Sequence, residues 1–431
     1  MTTTVLQPVD IAHREHNESL EVPASHLQHR KSHQSRRVSK QLVLAAASGI
    51  ILVAVGIPNT FGVFQNYFES SRFTDVPPSR ILLIGSLASS LYMILGAATG
   101  RLADWWGHET SVVLGSALMI GSLFVASIST EFYQLVLSQG VMFGVGAAFA
   151  YYPAVTTSRL LFSRHGLANG IVVSGGALGG CVLPYPTRLL LARYGLSIAF
   201  RVLGGVAAAV LLPANFILLH NRRAVSGLRS PLRGKIINLA LLRDSRFLVM
   251  LVAGTTAMIG FLPRYFLITP SAIASGIDAN FAAWLLGLMN GLSIVGRLGI
   301  GMFADRYGKL TALTLSFVLC GLGHLVFWLP GVLLDGERAV ALMTVFVVFV
   351  GLLGSGFVSL IPVVTADVFG DQELASKIGL LNSAMGLGAF AGPSMVYTII
   401  SGGQNWSMGV LFPGLLMVLG GLGMTRMRRY I

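Results

Sequence analysis

Gly100-Arg101-Leu102-Ala103-Asp104-Trp105-Trp106-Gly107 and Gly301-Met302-Phe303-Ala304-Asp305-Arg306-Tyr307-Gly308 are two versions of one octapeptide, 201 positions apart. Both keep Gly, Ala, Asp and Gly at the same places, and both follow a long apolar stretch. A second register, offset by 209, pairs Pro153 with Pro362, Thr156 with Thr365, Gly170 with Gly379, Ser174 with Ser383, Gly179 with Gly388 and Pro184 with Pro393. One such pair would be coincidence, but six in one register mean that the chain is a duplication.

The repeated unit is built for lipid. Of 431 residues, 54% are hydrophobic and 11% charged, whereas a soluble domain carries about 25% charged residues. A spanning helix needs about 20 mainly apolar residues. Such stretches fall near 42–64, 80–103, 110–130, 133–158, 166–192 and 197–220, and again near 245–269, 280–302, 310–330, 339–364, 376–400 and 407–426. The expected fold is therefore an all-α membrane protein of twelve transmembrane helices in two parallel six-helix repeats. The 51 glycines suit helices that approach closely in a solvent that gives apolar faces no reason to pair.

A net charge of +13 would fit a nucleic-acid partner, but the basic residues are arranged for a membrane. Of 30 Lys and Arg, 23 fall on one side of the expected topology and 7 elsewhere. The positive-inside rule makes the majority side cytoplasmic, together with both termini and the central loop. The expected organisation is a disordered basic tail (1–41), an N-terminal bundle (42–220), a cytoplasmic loop (221–244), a C-terminal bundle (245–426) and a short cytoplasmic end (427–431). Residues 1–40 lack the apolar core of a cleaved signal. Their basic end, Arg30 to Lys40, is suited to anionic lipid.

With the duplicated loop motif in place, the chain resembles the major facilitator superfamily. Within it, three stretches resemble the fungal branch of the monocarboxylate porter family. These are Phe61-Gly62-Val63-Phe64-Gln65-Asn66-Tyr67, Arg164-His165-Gly166-Leu167-Ala168-Asn169-Gly170, and Asn290 through Arg297 to Asp305. The resemblance implies the major facilitator fold and transport by alternating access, in which the two halves rock about a central site. It also implies that Arg297 holds a substrate carboxylate. At the two positions where the family carries titrating groups, this chain has Asn59, after Pro58, and Ser293, four residues before the arginine.

Polar groups within a span are costly and face a cavity or a partner. Asn290, Ser293 and Arg297 are three and four residues apart and share one helix face. The guanidinium fork fits a carboxylate as an ammonium does not. The alternative for Arg297 is snorkelling from the end of its span. Asn59 and Tyr152 are further candidates to line the solute site. His324, the mid-span group with a suitable pKa, is the candidate for proton coupling, with hydrogen-bonded packing as the alternative. Asp104 and Asp305, with Arg306 and Lys309, form a candidate conformational latch in which a carboxylate meets helix N–H groups and a basic neighbour. The first copy has Trp105, His108 and Glu109 where basic residues are usual.

The two cysteines, Cys181 and Cys320, offer neither a disulfide framework nor metal-ligand spacing. Without a nucleotide-binding loop, metal cluster or nucleophile constellation, neither cofactor nor catalysis is expected. The expected function is transport of a small organic anion or monocarboxylate-like metabolite by a monomeric carrier in the plasma or vacuolar membrane. Two alternatives remain: an exporter of a neutral or polyketide-like secondary metabolite, and a non-transporting solute sensor. Energy coupling is expected to be facilitative or weakly proton-linked, because none of the 17 acidic residues falls mid-span. The topology predicts that cysteines introduced at Arg223 and Thr74 label from opposite faces of the membrane. Labelling of both by an impermeant maleimide from outside intact cells would refute it.

Overall fold

The computed structural model describes Thr2 and residues 24–221, 239–400 and 405–429. Most of the expected central loop, with Arg222, Arg223, Arg229, Arg233 and Lys235, lies outside these residues. So does most of the expected tail up to residue 23. Of the rest of that tail, residues 24–40 are helical. No Gly or Pro falls between Ala24 and Lys40, so nothing in this stretch stops a helix that has already formed from extending.

Among the described residues every regular element is helical. The spanning elements are α1 (Lys40–Arg72), α3 (His108–Ile128), α4 (Phe132–Thr157), α7 (Ser245–Ala274), α8 (Asn280–Tyr307), α9 (Lys309–Leu333), α10 (Glu337–Phe369), α11 (Leu374–Ile400) and α12 (Trp406–Thr425). Helix α2 is a pair, Arg80–Ile94 and Gly96–Trp106, bent by 51°. The stretch His165–His220 is helical and largely apolar, but at 56 residues it is about twice the length of a span. Gly195, at φ 76° and ψ −176°, breaks it into α5 (165–194) and α6 (196–220). This backbone conformation is open to glycine and barred to most other residues. The break completes twelve spans.

The loop motif explains the tight turns. Gly107 and Gly308 end α2 and α8 at φ 102° and 106°, each donating its N–H to the carbonyl of the motif alanine, Ala103 or Ala304. The next helix starts at once, with His108 or Lys309. A positive-φ residue after the last helical turn is the usual stop, and glycine adopts it without a Cβ clash.

Two buried apolar clusters follow the duplication. One is built on residues from Val43 to Leu218 and the other on residues from Phe247 to Met427. The exceptions mark where the halves meet. Ala366, Leu374, Ala375 and Ile378 join the first cluster, and Met93 joins the second.

Contact between halves is made where small residues let backbones touch. A Cβ on Gly301 (α8) would lie 2.6 Å from the Gly166 carbonyl oxygen (α5), and one on Gly170 would lie 2.8 Å from the Arg297 carbonyl oxygen. The duplicate crossing joins α2 to α11, where Gly100 faces the Ala375 carbonyl and Gly379 faces that of Gly96. Apolar area provides no drive for this association in lipid, so close van der Waals approach must hold the halves together. Gly301→Val should therefore insert and fold, yet prevent closure at the α5–α8 crossing. The measurement is transport at matched protein level together with disulfide trapping between cysteines at Leu167 and Met302. Normal transport and normal trapping would contradict the assigned contact.

Candidate functional site

The Asp104 and Asp305 carboxylates lie at the two crossings. Asp305 Oδ1 accepts the Gly166 N–H at 2.9 Å, and its Oδ2 accepts the Leu167 N–H at 3.0 Å, both at the start of α5 in the opposite half. Asp104 Oδ2 accepts the Ser376 N–H at 3.0 Å, at the start of α11. Leu167 and Ser376 are 209 positions apart and the aspartates 201, so both bonds belong to the duplication. Each carboxylate satisfies N–H groups that the first turn of a helix cannot pair internally, and each sits at the positive end of that helix.

The expected basic partners are placed differently. Lys309 Nζ pairs with Asp367 of α10 at 2.6 Å, and the Arg306 guanidinium lies over its neighbour Tyr307, 5.3 Å from the ring centroid. Among the described residues neither forms an ion pair with Asp305. In the first copy, His108 Nε2 stands 3.4 Å from Asp104 Oδ1. An ion pair between Arg101 of α2 and Glu373, just ahead of α11, adds a second link between halves. No local pattern signals that pair, since its partners are 272 residues apart.

The duplication breaks where chemistry is expected. Arg297 in α8 corresponds, 201 positions on, to Gly96 in α2. The space beside Gly96 is filled by the Tyr152 ring, whose hydroxyl donates to the Tyr92 carbonyl at 3.1 Å and approaches that of Met93 at 3.3 Å. These carbonyls belong to the bend of α2. There Ala97 N–H leaves the helical ladder and donates to Ser383 Oγ of α11 at 3.0 Å. Tyr152 is fully buried, with its hydroxyl committed to this bend.

Arg297 is buried, at 4% exposure, so it does not snorkel. Its Nη1 donates to the Val173 carbonyl of α5 at 2.7 Å, and its Nε has no partner. Among the described residues no carboxylate pairs with it; the ion pairs lie near helix ends. Arg297 therefore stands between the halves, bonded to α5 of the opposite half and with its Nε to spare.

One turn and more above it, Asn59 of α1 and Asn290 of α8 converge over Gly180 of α5. A Cβ there would lie 3.2 Å from both Asn59 Nδ2 and Asn290 Oδ1. Asn290 Nδ2 donates to the Leu286 carbonyl, leaving Oδ1 buried without a partner. Ser293 faces the same way in sequence, but its hydroxyl is buried and donates to the Asn290 carbonyl at 2.7 Å. It packs rather than presents.

His324 is wholly buried in the C-terminal half, with Nδ1 donating to the Cys320 carbonyl at 2.8 Å and the ring held against Trp328 and Phe346. This setting fits the alternative of hydrogen-bonded packing. The residue that the sequence analysis did not single out is Arg264. It has 0% exposure, and its guanidinium is stacked 3.9 Å from the Phe261 ring centroid. Its Pro263 neighbour, which begins a new helical segment, was the available signal.

A shallow apolar notch along α10, lined by Thr344, Val345, Val348, Phe349, Leu352 and Leu353, includes none of these residues.

The family model of the Major Facilitator Superfamily matches residues 41–335 and 265–429. The MFS transporter asaE of Aspergillus flavus is 29% identical over 88% of this chain and 84% of its own length. The agnestins efflux protein AgnL12 of Paecilomyces divaricatus is also 29% identical, over 88% of this chain and 85% of its own. The crystal structure of the human organic anion transporter MFSD10 superposes with a TM-score of 0.66 at 16% identity, covering 90% of this chain and 99% of that one. That likeness establishes the fold, and the family match spans nearly every helix described above. The chain is a membrane transporter that belongs to the Major Facilitator Superfamily.

Proposed function

We propose that this carrier exports a small organic anion of the secondary-metabolite kind, using Arg297 to hold its negative charge. The observation that carries this reading is a buried arginine between the two halves with no described carboxylate paired to it. A charged side chain in a span costs about 2.5–3.5 kcal/mol even on lenient insertion scales, and acidic neighbours would ordinarily offset this. Here no acidic neighbour is described, and the buried Nε is left without a partner. Export rather than uptake is supported by the similarity to a protein named for agnestin efflux.

Proton-driven uptake of simple monocarboxylates has less support. Asn59 and Ser293 occupy the positions where the resembled family titrates, and Ser293 is hydrogen-bonded within its own helix. The setting that fits is the plasma membrane, with the Asp104 and Asp305 ends in the cytoplasm and the carrier acting as a monomer. Asp104, Asp305 and the Arg101–Glu373 pair then hold the cytoplasmic end shut while the solute leaves outward.

The test is efflux from proteoliposomes preloaded with a panel of acidic and neutral fungal metabolites, at matched protein level. Arg297→Lys keeps charge but loses the planar fork, and should weaken binding of acidic members by about ten-fold or more. Arg297→Gln should abolish their transport while leaving abundance unchanged. If both variants export acidic metabolites like the wild type, the anion reading falls and a neutral substrate replaces it.

A further inference from the structure

We infer that Asn59 and Asn290 form a second subsite, a donor and an acceptor side by side, which takes the edge of a cis amide such as a lactam or a primary carboxamide. This rests on the anion reading above for the other end of the solute, and it specifies the solute's class. Asn59 Nδ2 of α1 and Asn290 Oδ1 of α8 each lie 3.2 Å from the point that a Cβ would take on Gly180 of α5. The missing side chain at Gly180 lets one amide from each half converge there. The orientation of Asn290 is fixed, because its Nδ2 donates to the Leu286 carbonyl at 3.1 Å, so the atom beside Asn59 is the oxygen. That oxygen is buried without a partner, in a residue of 1% exposure. A buried acceptor without a donor is unfavourable, so a solute that brings one is held. Asn59 is half-buried, which leaves the pair an open side.

The two atoms ask for opposite functions on one edge of the solute: Asn59 Nδ2 needs an acceptor and Asn290 Oδ1 needs a donor. An ordinary secondary amide is trans, with N–H and C=O pointing opposite ways, and meets only one of them. A lactam or a primary carboxamide carries both on the same edge. A carboxylate offers acceptors alone, so the Asn290 oxygen repels it and the acidic end of the solute goes elsewhere. Arg297 is the place for it. It follows Asn290 by seven residues, close to two turns, which keeps both on one face of α8 about 10 Å apart along the axis. Its Nη1 is held by the Val173 carbonyl, and its Nε is unpartnered. The solute that uses both subsites is an acid with a cis amide at its far end.

The probes are 4′-carbamoylbiphenyl-4-carboxylate and 4′-acetylbiphenyl-4-carboxylate, in which a methyl replaces the amide nitrogen, in counterflow with the full-length protein in proteoliposomes. Wild type should take the carboxamide with a KM about ten-fold below that of the methyl ketone. Asn290→Leu, of similar size, should bring the two KM values together. Asn59→Leu should raise both, since both probes present a carbonyl. Equal KM values in the wild type, a preference that survives in Asn290→Leu, or exchange of the methyl ketone without the carboxamide would overturn the inference and leave the anion reading intact. So would variants that alter Vmax for both probes alike with the preference unchanged, which is the result if the two asparagines bond to each other as a link between halves. If Asn290→Leu does not accumulate, the wild-type preference and Asn59→Leu decide. The anion reading fails separately, if Arg297→Gln exchanges both acids like the wild type; failure of the wild type to exchange either acid would overturn both.

Discussion

Two aspartates at the ends of two helices, each accepting backbone N–H groups from the opposite half, are the interaction on which this molecule's architecture turns. The first turn of any helix leaves N–H groups without internal partners, and lipid supplies none. Asp104 and Asp305 resolve that deficit across the gap between bundles rather than within one of them. The glycine crossings exist to bring those helix ends within reach. A side chain on Gly166 or Gly301 would separate backbones that must come close enough for a carboxylate to span them. The two halves are thus joined by contacts that are strong in place and cheap to release, since water can satisfy the same groups once the end opens.

Symmetry fits the latch and is abandoned at the centre. The position occupied by Arg297 in one half is Gly96 in the other, and the space opened there is filled by Tyr152. A duplicated gene begins with equal halves, so the difference reflects what each half has become. One half supplies rings and a bend; the other supplies two buried guanidiniums. Arg264 and Arg297 both act without a described acidic partner, which leaves the interior of the C-terminal half positive in a low-dielectric setting.

Much of this was legible in the residues. Span number, the duplication, the burial of Arg297 and the capping role of the loop aspartates all rest on local pattern and spacing, which sequence carries directly. Three of the other candidate residues share a different property. Tyr152, Ser293 and His324 each hydrogen-bond a backbone carbonyl nearby in space, and which polar side chain is absorbed in that way depends on bends and packing rather than on spacing. Lys309 and Arg306 were assigned to Asp305 by proximity in sequence, yet the helix start of α5 already satisfied that carboxylate. Arg264 was passed over because a cation near a span end has an easy explanation, and only its neighbours on α9 and α10 show it to be enclosed.

The bend of α2 has a bearing on how the carrier moves. With the ladder interrupted at Leu95, the Ala97 amide is held by Ser383 of the other half, and the Met93 carbonyl, four residues back, is approached by Tyr152. When the halves part, Ser383 is withdrawn. The Ala97 amide then has the Met93 carbonyl as its ordinary helical partner, so α2 can straighten as the crossing opens. The number of satisfied backbone groups is the same before and after. Helix α8, its repeat, is continuous through the same region and has no second arrangement to adopt. Rocking in this carrier is therefore expected to be lopsided: the N-terminal half flexes like a spring with two rest lengths, while the half bearing the arginines turns as a solid body around its cargo.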